Sequence, residues 1–204
     1  RGHAKDPISS GLAMEAFIPK GFWEKFRGGV FLMGAGGSAI AISSYLLNKN
    51  NGKNIPSKIV VSNRSKPRLT EIERIINMIN PDVPAEFYLA PEPKVNDRLL
   101  EKMSEYSLIV NATGLGKDRP GSPLTDACVF PGNSLIWELN YRGDLRFMHQ
   151  ALEQKEKKNL HVEDGWIYFI HGWTQVIAEV FNIGITGKAF EEFEKTAYEV
   201  RMNK

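Results

Sequence analysis

Short apolar segments alternate along this chain with segments in which apolar residues recur at helical spacing. Apolar residues three and four positions apart predict helices, as over residues 69–79 and 145–154. This alternation is typical of a parallel sheet that is covered by helices on both faces. We interpret six of the apolar segments as strands, at residues 30–33, 59–61, 86–89, 107–111, 134–139 and 160–162. The predicted fold class is therefore α/β, with a doubly wound, six-stranded parallel sheet.

Further helices are predicted near both ends of the chain and before the fourth strand. Asp6 followed by Pro7 is typical of a helix start with Asp6 as the N-cap, and this first helix ends before Pro19. Apolar spacing also predicts helices over residues 95–106, 166–181 and 188–202, with a lysine-rich turn at 155–158.

A glycine turn joins the first strand to the helix that follows it, in the pattern G-x-G-x-x-A. Gly34 permits the tight turn, Gly36 lets a pyrophosphate approach the backbone, and Ala39 lets the helix pack closely on the sheet. The helix start adds free N–H groups and the positive end of the helix dipole. We therefore predict a Rossmann-type dinucleotide site, with cofactor contacts from Gly34, Ala35, Gly36, Gly37 and Ser38.

The end of the second strand indicates which dinucleotide is bound. A site for NAD usually has an acid there to bond the ribose 2′-hydroxyl, whereas an arginine accommodates the 2′-phosphate of NADP. This chain has Asn63, Arg64, Ser65 and Lys66 there, and no acid before Glu71. A solvated, basic start to the next helix is the alternative interpretation. We predict NADP as the cofactor and these four residues among its contacts.

Length and composition place limits on the other classes of function. With 204 residues, 42% of them hydrophobic, and a net charge of +2, the chain has no feature that requires a nucleic-acid or membrane partner. The single Cys128 excludes an internal disulfide, and a cytoplasmic location is expected. His3, His149 and His161 have no metal-ligand spacing with this cysteine, so no metal is expected.

The domain division follows from the glycine turn and the helices around it. We predict a linking helix at residues 1–27, a Rossmann NADP-binding domain at 28–182 and a C-terminal helix at 183–204. Because the chain opens without Met and leads straight into a helix, we expect it to be part of a longer protein.

Several motifs together resemble those of the shikimate/quinate dehydrogenase family. They lie in the family's order and approximate spacing: residues 34–39 (GAGGSA), 63–65 (NRS), 111–116 (NATGLG), 138–141 (ELNY) and 164–165 (DG). Each motif is unspecific alone, but the ordered set is hard to obtain by chance. The resemblance covers nearly the whole of this chain. In the family's proteins it covers only the C-terminal, NADP-binding half and the linking helix.

The resemblance implies an NADP-dependent oxidoreductase that interconverts a small cyclic hydroxy acid and its keto form, as in the pair shikimate and 3-dehydroshikimate. In this family an N-terminal domain, which we expect to lie outside this sequence, holds most of the substrate and a catalytic lysine. Asp6 corresponds to the aspartate that shares proton transfer with that lysine, although an N-cap role for Asp6 is an equal alternative. The sequence does not determine the oligomeric state, and a homodimer is one possibility. The resemblance adds Asn111, Ala112, Thr113, Gly114, Leu139 and Gly165 to the cofactor contacts.

Other positions depart from the family pattern. Ala4 and Lys5 replace the Asn and Thr that precede the family's aspartate, and Ile167 and Gly172 replace a glycine and a substrate-binding glutamine. We therefore predict that His171, Thr174 or Gln175 supplies the missing substrate contact, and that the substrate differs from shikimate or the activity is lost. Tyr141 follows the end of the fifth strand and is predicted to contact the substrate as well. Tyr141 has an equal alternative as a tyrosine at the edge of the core.

Two other functions are consistent with these motifs. The chain can be a regulatory module that binds NADP without catalysis, which the four departures favour. It can also be another NADP dehydrogenase of the same superfamily, acting on an amino acid or on methylene-tetrahydrofolate. No Ser-His-Asp order or nucleophile elbow is present, so hydrolysis has no support.

Overall fold

Six parallel strands form one sheet in the order β3–β2–β1–β4–β5–β6, in a computed structural model that describes residues 6–202. This order confirms the predicted doubly wound α/β fold, because it reverses at β1 and places helices on both faces. The strands are β1 (Val30–Met33), β2 (Ile59–Asn63), β3 (Ala85–Leu89), β4 (Leu108–Asn111), β5 (Leu135–Glu138) and β6 (His161–Glu163).

Nine helices accompany the strands in the part of the chain that the structure describes. They are α1 (Asp6–Phe17), α2 (Phe22–Phe26), α3 (Gly37–Leu46), α4 (Lys66–Ile79), α5 (Pro93–Leu100), α6 (Arg146–Leu152), α7 (Lys155–Lys158), α8 (Trp166–Phe181) and α9 (Lys188–Met202). None of these helices is long and apolar enough to cross a membrane.

Two local predictions need correction, and one short helix was missed. The helix predicted over residues 95–106 ends at Leu100, because the N–H groups of Lys102 and Met103 bond carbonyls three residues back and Tyr106 has a positive φ of 59°. The lysine-rich turn at 155–158 is the short helix α7. The short helix α2 was not predicted.

The four central strands of the sheet, β2, β1, β4 and β5, are buried on both faces, as is typical of parallel sheets. Val30 and Leu32 of β1 face a cluster that includes α1, α3 and α4, whereas Phe31 and Met33 face a second cluster under α5 and α6. All four side chains are fully buried, which explains why these strands read as continuous apolar segments.

Helix α1 packs against α3 and α8, and thus beside the glycine turn. A Cβ at Gly11 of α1 would lie 2.5 Å from the ring of Tyr45 on α3, so the two helices approach closely. Asp6, the first described residue, is placed by this packing. Residues 1–5 lie outside the described residues, and the linking role of 1–27 stays a prediction.

The carboxyl ends of β1 and β4 lie side by side where the strand order reverses. Met33 pairs with Asn111 in the register of the two strands, and the N–H of Ala112 donates to the Met33 carbonyl at 2.8 Å. Gly34 follows with a φ of 117°, and a Cβ there would lie 2.5 Å from the carbonyl oxygen of Ala112. The turn after β1 therefore requires glycine at this position for two separate reasons.

A buried carboxylate connects the ends of β4 and β5. Glu138 is fully buried and accepts hydrogen bonds from the side-chain amide of Asn111 at 2.8 Å, and from the backbone N–H and side-chain amide of Asn140 at 2.9 and 2.7 Å. Both amides also donate to the carbonyl of Leu115, at 3.2 and 2.9 Å. The network thereby fixes the start of the loop that follows β4.

Burial raises the pKa of Glu138 from its ordinary 4.5 to about 7, and this exceeds the opposing effect of its three hydrogen bonds. A raised pKa means that the folded protein binds this proton more tightly than the unfolded chain does. The corresponding stabilisation is complete below about pH 4.5 and is lost as the pH rises through about 7. We expect a total change of about 3 kcal/mol.

The measurement is urea unfolding of the wild type and Glu138→Gln between pH 4 and 9. Glutamine does not titrate, so the difference in unfolding free energy isolates Glu138 from the other groups. We expect the wild type to lose stability relative to the variant as the pH rises. A difference that is constant with pH, or that changes in the opposite direction, contradicts this expectation.

Candidate dinucleotide-binding site

A first cleft of about 390 Å³ lies at the carboxyl ends of β1 and β2. The glycine turn forms one wall through Gly34, Ala35 and Gly36. The other walls come from the end of β2, the loop between β3 and α5, and the loop after β4. The predicted residues Asn63, Arg64, Ser65, Ala112 and Thr113 all line this cleft.

Three guanidinium groups make the first cleft cationic. Arg64, Arg68 and Arg119 line it, and none of them forms an ion pair with a carboxylate among residues 6–202. A guanidinium nitrogen of Arg68 lies 3.6 Å from the position that a Cβ at Gly36 would occupy. Glu92 also lines the cleft, so the lining side chains carry a net positive charge. Such a lining suits a ligand with more than one phosphate.

The start of α3 adds backbone donors between the two ends of the site. Gly36 is the N-cap of α3 and provides no side-chain oxygen for the first helical N–H groups. These N–H groups have no intrahelical acceptor, and the helix dipole is positive at this end. The helix start therefore offers the donors and the field that a pyrophosphate needs.

A second cleft, of about 650 Å³, lies at the carboxyl ends of β4 and β5 and against α8. The predicted residues Asp6, Ser38, Gly114, Leu139, Tyr141 and Gly165 line it. Its α8 wall consists of Tyr168, Phe169, Gly172, Trp173 and Val176. Both volumes lie within the range that small-molecule and cofactor sites occupy.

The two clefts adjoin, because Ala112 and Thr113 line both. The Thr113 hydroxyl donates to the side-chain oxygen of Asn111 at 2.7 Å and accepts from the N–H of Leu115 at 3.1 Å. Thr113 is thus fixed by Asn111, which in turn is fixed by the buried Glu138. An extended ligand can therefore cross from one cleft to the other beside a rigid loop.

Leu139 and Gly165 meet at the inner end of the second cleft. A Cβ at Gly165 would lie 2.0 Å from the carbonyl oxygen of Leu139, and the Gly165 N–H donates to the carbonyl of Asn140 at 3.0 Å. Only glycine permits this approach. It brings the start of α8 directly against the end of β5.

Asp6 lies where the second cleft meets the start of α3. One carboxylate oxygen of Asp6 is 4.0 Å from the position of a Cβ at Gly37. Burial raises the pKa of the neighbouring Tyr168, the Asp6 charge adds to this rise, and a hydrogen bond with Ser38 opposes it. Asp6, Ser38 and Tyr168 therefore form a polar group at one edge of an otherwise aromatic cleft.

Several predicted site residues do not reach either cleft. Asn111 is fully buried and acts through the loop that it holds, and Gly37 and Lys66 do not line the clefts. His171 lies on another side of α8, where it stacks on Phe190 at 4.2 Å and burial lowers its pKa. Gln175, one helical turn further on, is also absent from the cleft lining. The substrate contacts of His171 and Gln175 therefore stay predictions that the lining of the two clefts does not support.

The structure adds two cations that the sequence analysis did not single out. Arg119 lines the first cleft and Lys117 the second, and both belong to the loop after β4. The ammonium of Lys117 lies 4.7 Å from the ring centroid of Tyr141. The only sequence feature that could have indicated these two cations is the presence of basic residues between the glycines and prolines of this loop. This feature does not show where the side chains lie.

No family model matches the chain. Among curated proteins, a shikimate dehydrogenase (NADP(+)) from Lactococcus lactis subsp. cremoris is 26% identical over 126 residues, which are 61% of this chain and 42% of that protein. The chain thus spans less than half the length of this curated relative.

Solved structures extend the similarity to nearly the whole chain. The quinate dehydrogenase from Corynebacterium glutamicum in complex with NAD has a TM-score of 0.69 at 18% identity, covering 97% of this chain and 63% of its own. The shikimate 5-dehydrogenase from Thermus thermophilus, in complex with NADP(H) and shikimate, has a TM-score of 0.62 at 21% identity, covering 96% and 63%. At these identities the structures establish a shared fold. Together with the curated relative, they confirm the predicted resemblance of this chain to the shikimate/quinate dehydrogenase family.

Proposed function

We propose that this chain binds NADP(H) and forms the cofactor-binding part of an oxidoreductase that resembles shikimate 5-dehydrogenase. The reaction would interconvert a cyclic hydroxy acid and its keto form. The observation that carries this proposal is the continuity of two clefts, one cationic and one aromatic, on either side of a helix start without a side-chain cap. The similarity to a shikimate dehydrogenase and to structures with NAD or NADP(H) supports it.

Each end of the site has a distinct task in this proposal. Arg64, with Arg68 and Arg119 nearby, holds the 2′-phosphate end of the cofactor, because a guanidinium matches phosphate geometry and carries a permanent charge. Gly36 and the start of α3 hold the pyrophosphate. The nicotinamide end lies in the second cleft, beside Thr113 and the close contact of Leu139 with Gly165.

The bound cofactor supplies the hydride chemistry, and this chain supplies orientation and proton handling. Asp6 is the acid–base group that lines the second cleft beside the start of α3. Its carboxylate would receive or return the proton of the substrate hydroxyl, together with a lysine that the resemblance places in another domain. Tyr141 would form part of the substrate wall.

A second candidate is a module that binds NADP(H) without turnover. The position of Gly172 favours it, because the α8 wall of the second cleft carries no amide or carboxylate side chain at the residues that line it. Hydride transfer by the full-length protein with any cyclic hydroxy acid distinguishes the two candidates. Cofactor binding without turnover supports the module.

The first prediction for this proposal concerns the 2′-phosphate. We expect Arg64→Ala to weaken NADP⁺ binding by more than about tenfold, which is roughly 1.4 kcal/mol, and NAD⁺ binding by less than about threefold. The control is Lys66→Ala, because Lys66 is an exposed cation two residues away that does not line the cleft. Isothermal titration calorimetry with both nucleotides measures each constant.

An equal loss for both nucleotides in Arg64→Ala would show that Arg64 does not recognise the 2′-phosphate. Failure of the wild type to bind either nucleotide would refute the cofactor proposal as a whole.

A second prediction separates the two glycines of the turn. Gly34→Ala places a Cβ 2.5 Å from a backbone oxygen at positive φ, so we expect it to lower the unfolding free energy by at least about 2 kcal/mol. Gly36→Ala meets only the Arg68 side chain at 3.6 Å, so its unfolding free energy should stay within about 1 kcal/mol of the wild type.

Gly36→Ala should nevertheless weaken both NADP⁺ and NAD⁺ by about tenfold or more, because its Cβ occupies the approach of the pyrophosphate. Urea unfolding and calorimetric titration on the same samples test both statements. A folded Gly36→Ala protein with wild-type affinity would mean that the turn has only a structural role.

A further inference from the structure

The second cleft has a composition that the cofactor alone does not explain. On its α8 side it presents the rings of Phe169 and Trp173 and the side chain of Val176. Trp173 is 55% exposed and Val176 is 45% exposed, so this apolar wall faces the open cleft. Phe169 and Trp173 meet edge to face, with ring centroids 6.3 Å apart.

A glycine in the middle of α8 leaves this wall open. Gly172 lines the cleft, and a Cβ built on it meets no atom within 4 Å beyond its two chain neighbours and the backbone of its own helix. Glycine destabilises a helix interior relative to alanine, so a position without any close neighbour has no packing reason for it. The space beside Gly172 therefore opens into the cleft, which Phe169 and Trp173 also line.

Lys117 is the one cation among the described residues that line this cleft. Its ammonium lies 4.7 Å from the Tyr141 ring centroid, and Tyr141 stacks on Phe169 with centroids 4.2 Å apart. Lys117 forms no ion pair with a carboxylate within residues 6–202. Two carboxylates also line the cleft: Asp118, which is paired with Arg142 at 2.8 Å, and Asp6. The ammonium is thus a half-buried positive charge whose counter-ion is not supplied by its neighbours.

We propose that the second cleft binds a carboxylic acid with a flat, apolar ring, whose carboxylate contacts Lys117 and whose ring packs against Phe169 and Trp173. A ring with hydroxyl groups on both faces would lose hydrogen bonds to water against this wall without replacing them. A flat ring gains contact with the aromatic faces instead. The proposal concerns binding in the second cleft and does not rest on the proposed oxidoreductase function.

The test is calorimetric titration of the 204-residue chain with 2-naphthoate, its neutral amide 2-naphthamide, and shikimate, each with and without NADP⁺. We expect 2-naphthoate to bind about fivefold more tightly than 2-naphthamide, as befits a half-buried ion pair, and more tightly than shikimate. Lys117→Gln should lower the affinity for 2-naphthoate to that for the amide, and leave the amide unchanged. Lys117→Arg should retain most of the preference.

Gly172→Leu places a side chain in the open space beside Gly172 and should weaken both naphthyl ligands by about tenfold or more. Lys49→Gln is the control for a loss of charge, because Lys49 is an exposed lysine that does not line the cleft. Thermal unfolding of each variant shows that it is folded.

Equal binding of the acid and the amide by the wild type overturns the proposal, as does binding that is unchanged in Gly172→Leu. A loss of NADP⁺ affinity beyond about twofold in Lys117→Gln also overturns it, because Lys117 would then belong to the cofactor site. Absence of NADP⁺ binding refutes the proposed function instead, and the titrations without cofactor still decide this inference.

Discussion

The buried carboxylate of Glu138 is the constraint on which the geometry of the two clefts depends. It accepts three hydrogen bonds from Asn111 and Asn140, and these two side chains hold the carbonyl of Leu115. The loop after β4 therefore has a fixed start. It carries Thr113, which lines both clefts, and also Lys117 and Arg119, which line one cleft each. A charge buried at the ends of two strands is costly unless it is well bonded. Here it fixes the loop that separates the cationic cleft from the aromatic one.

The features that could be predicted from the sequence are those that depend on near neighbours in the chain. The six strands follow from continuous apolar segments, and the glycine turn follows from a strand, Gly34 and Gly36 and a helix in immediate succession. Arg64 lies on the cleft because it directly follows β2, so its place is set by the end of a strand. The helix after β3 ends at Leu100, earlier than predicted. Apolar spacing does not distinguish the turns that follow Leu100 from a continued helix.

The features that could not be predicted depend on packing between distant segments. Helix α8 is apolar on several sides, so periodicity does not reveal which side faces the cleft. In the structure Tyr168, Phe169, Gly172, Trp173 and Val176 do so, whereas His171 packs toward α1 and α9. The positions of Lys117 and Arg119 depend on hydrogen bonds between β4, β5 and a loop that has no regular structure. A sequence pattern carries no direct signal for such bonds.

The glycines of the site fall into two physical classes, and the difference bears on function. Gly34 and Gly165 are required by the fold, because a Cβ at either would overlap a backbone oxygen at 2.5 or 2.0 Å. Beyond their chain neighbours and their own helix, Gly36 and Gly172 meet no backbone atom within 4 Å; Gly36 is the N-cap of α3 and Gly172 lies within α8. Gly172 lowers the stability of its helix, because glycine is unfavourable in a helix interior, whereas glycine is acceptable at the N-cap position of Gly36. Both of these positions line the clefts, so the space that they leave is available to the ligands that we propose: a pyrophosphate at Gly36 and a flat ring at Gly172.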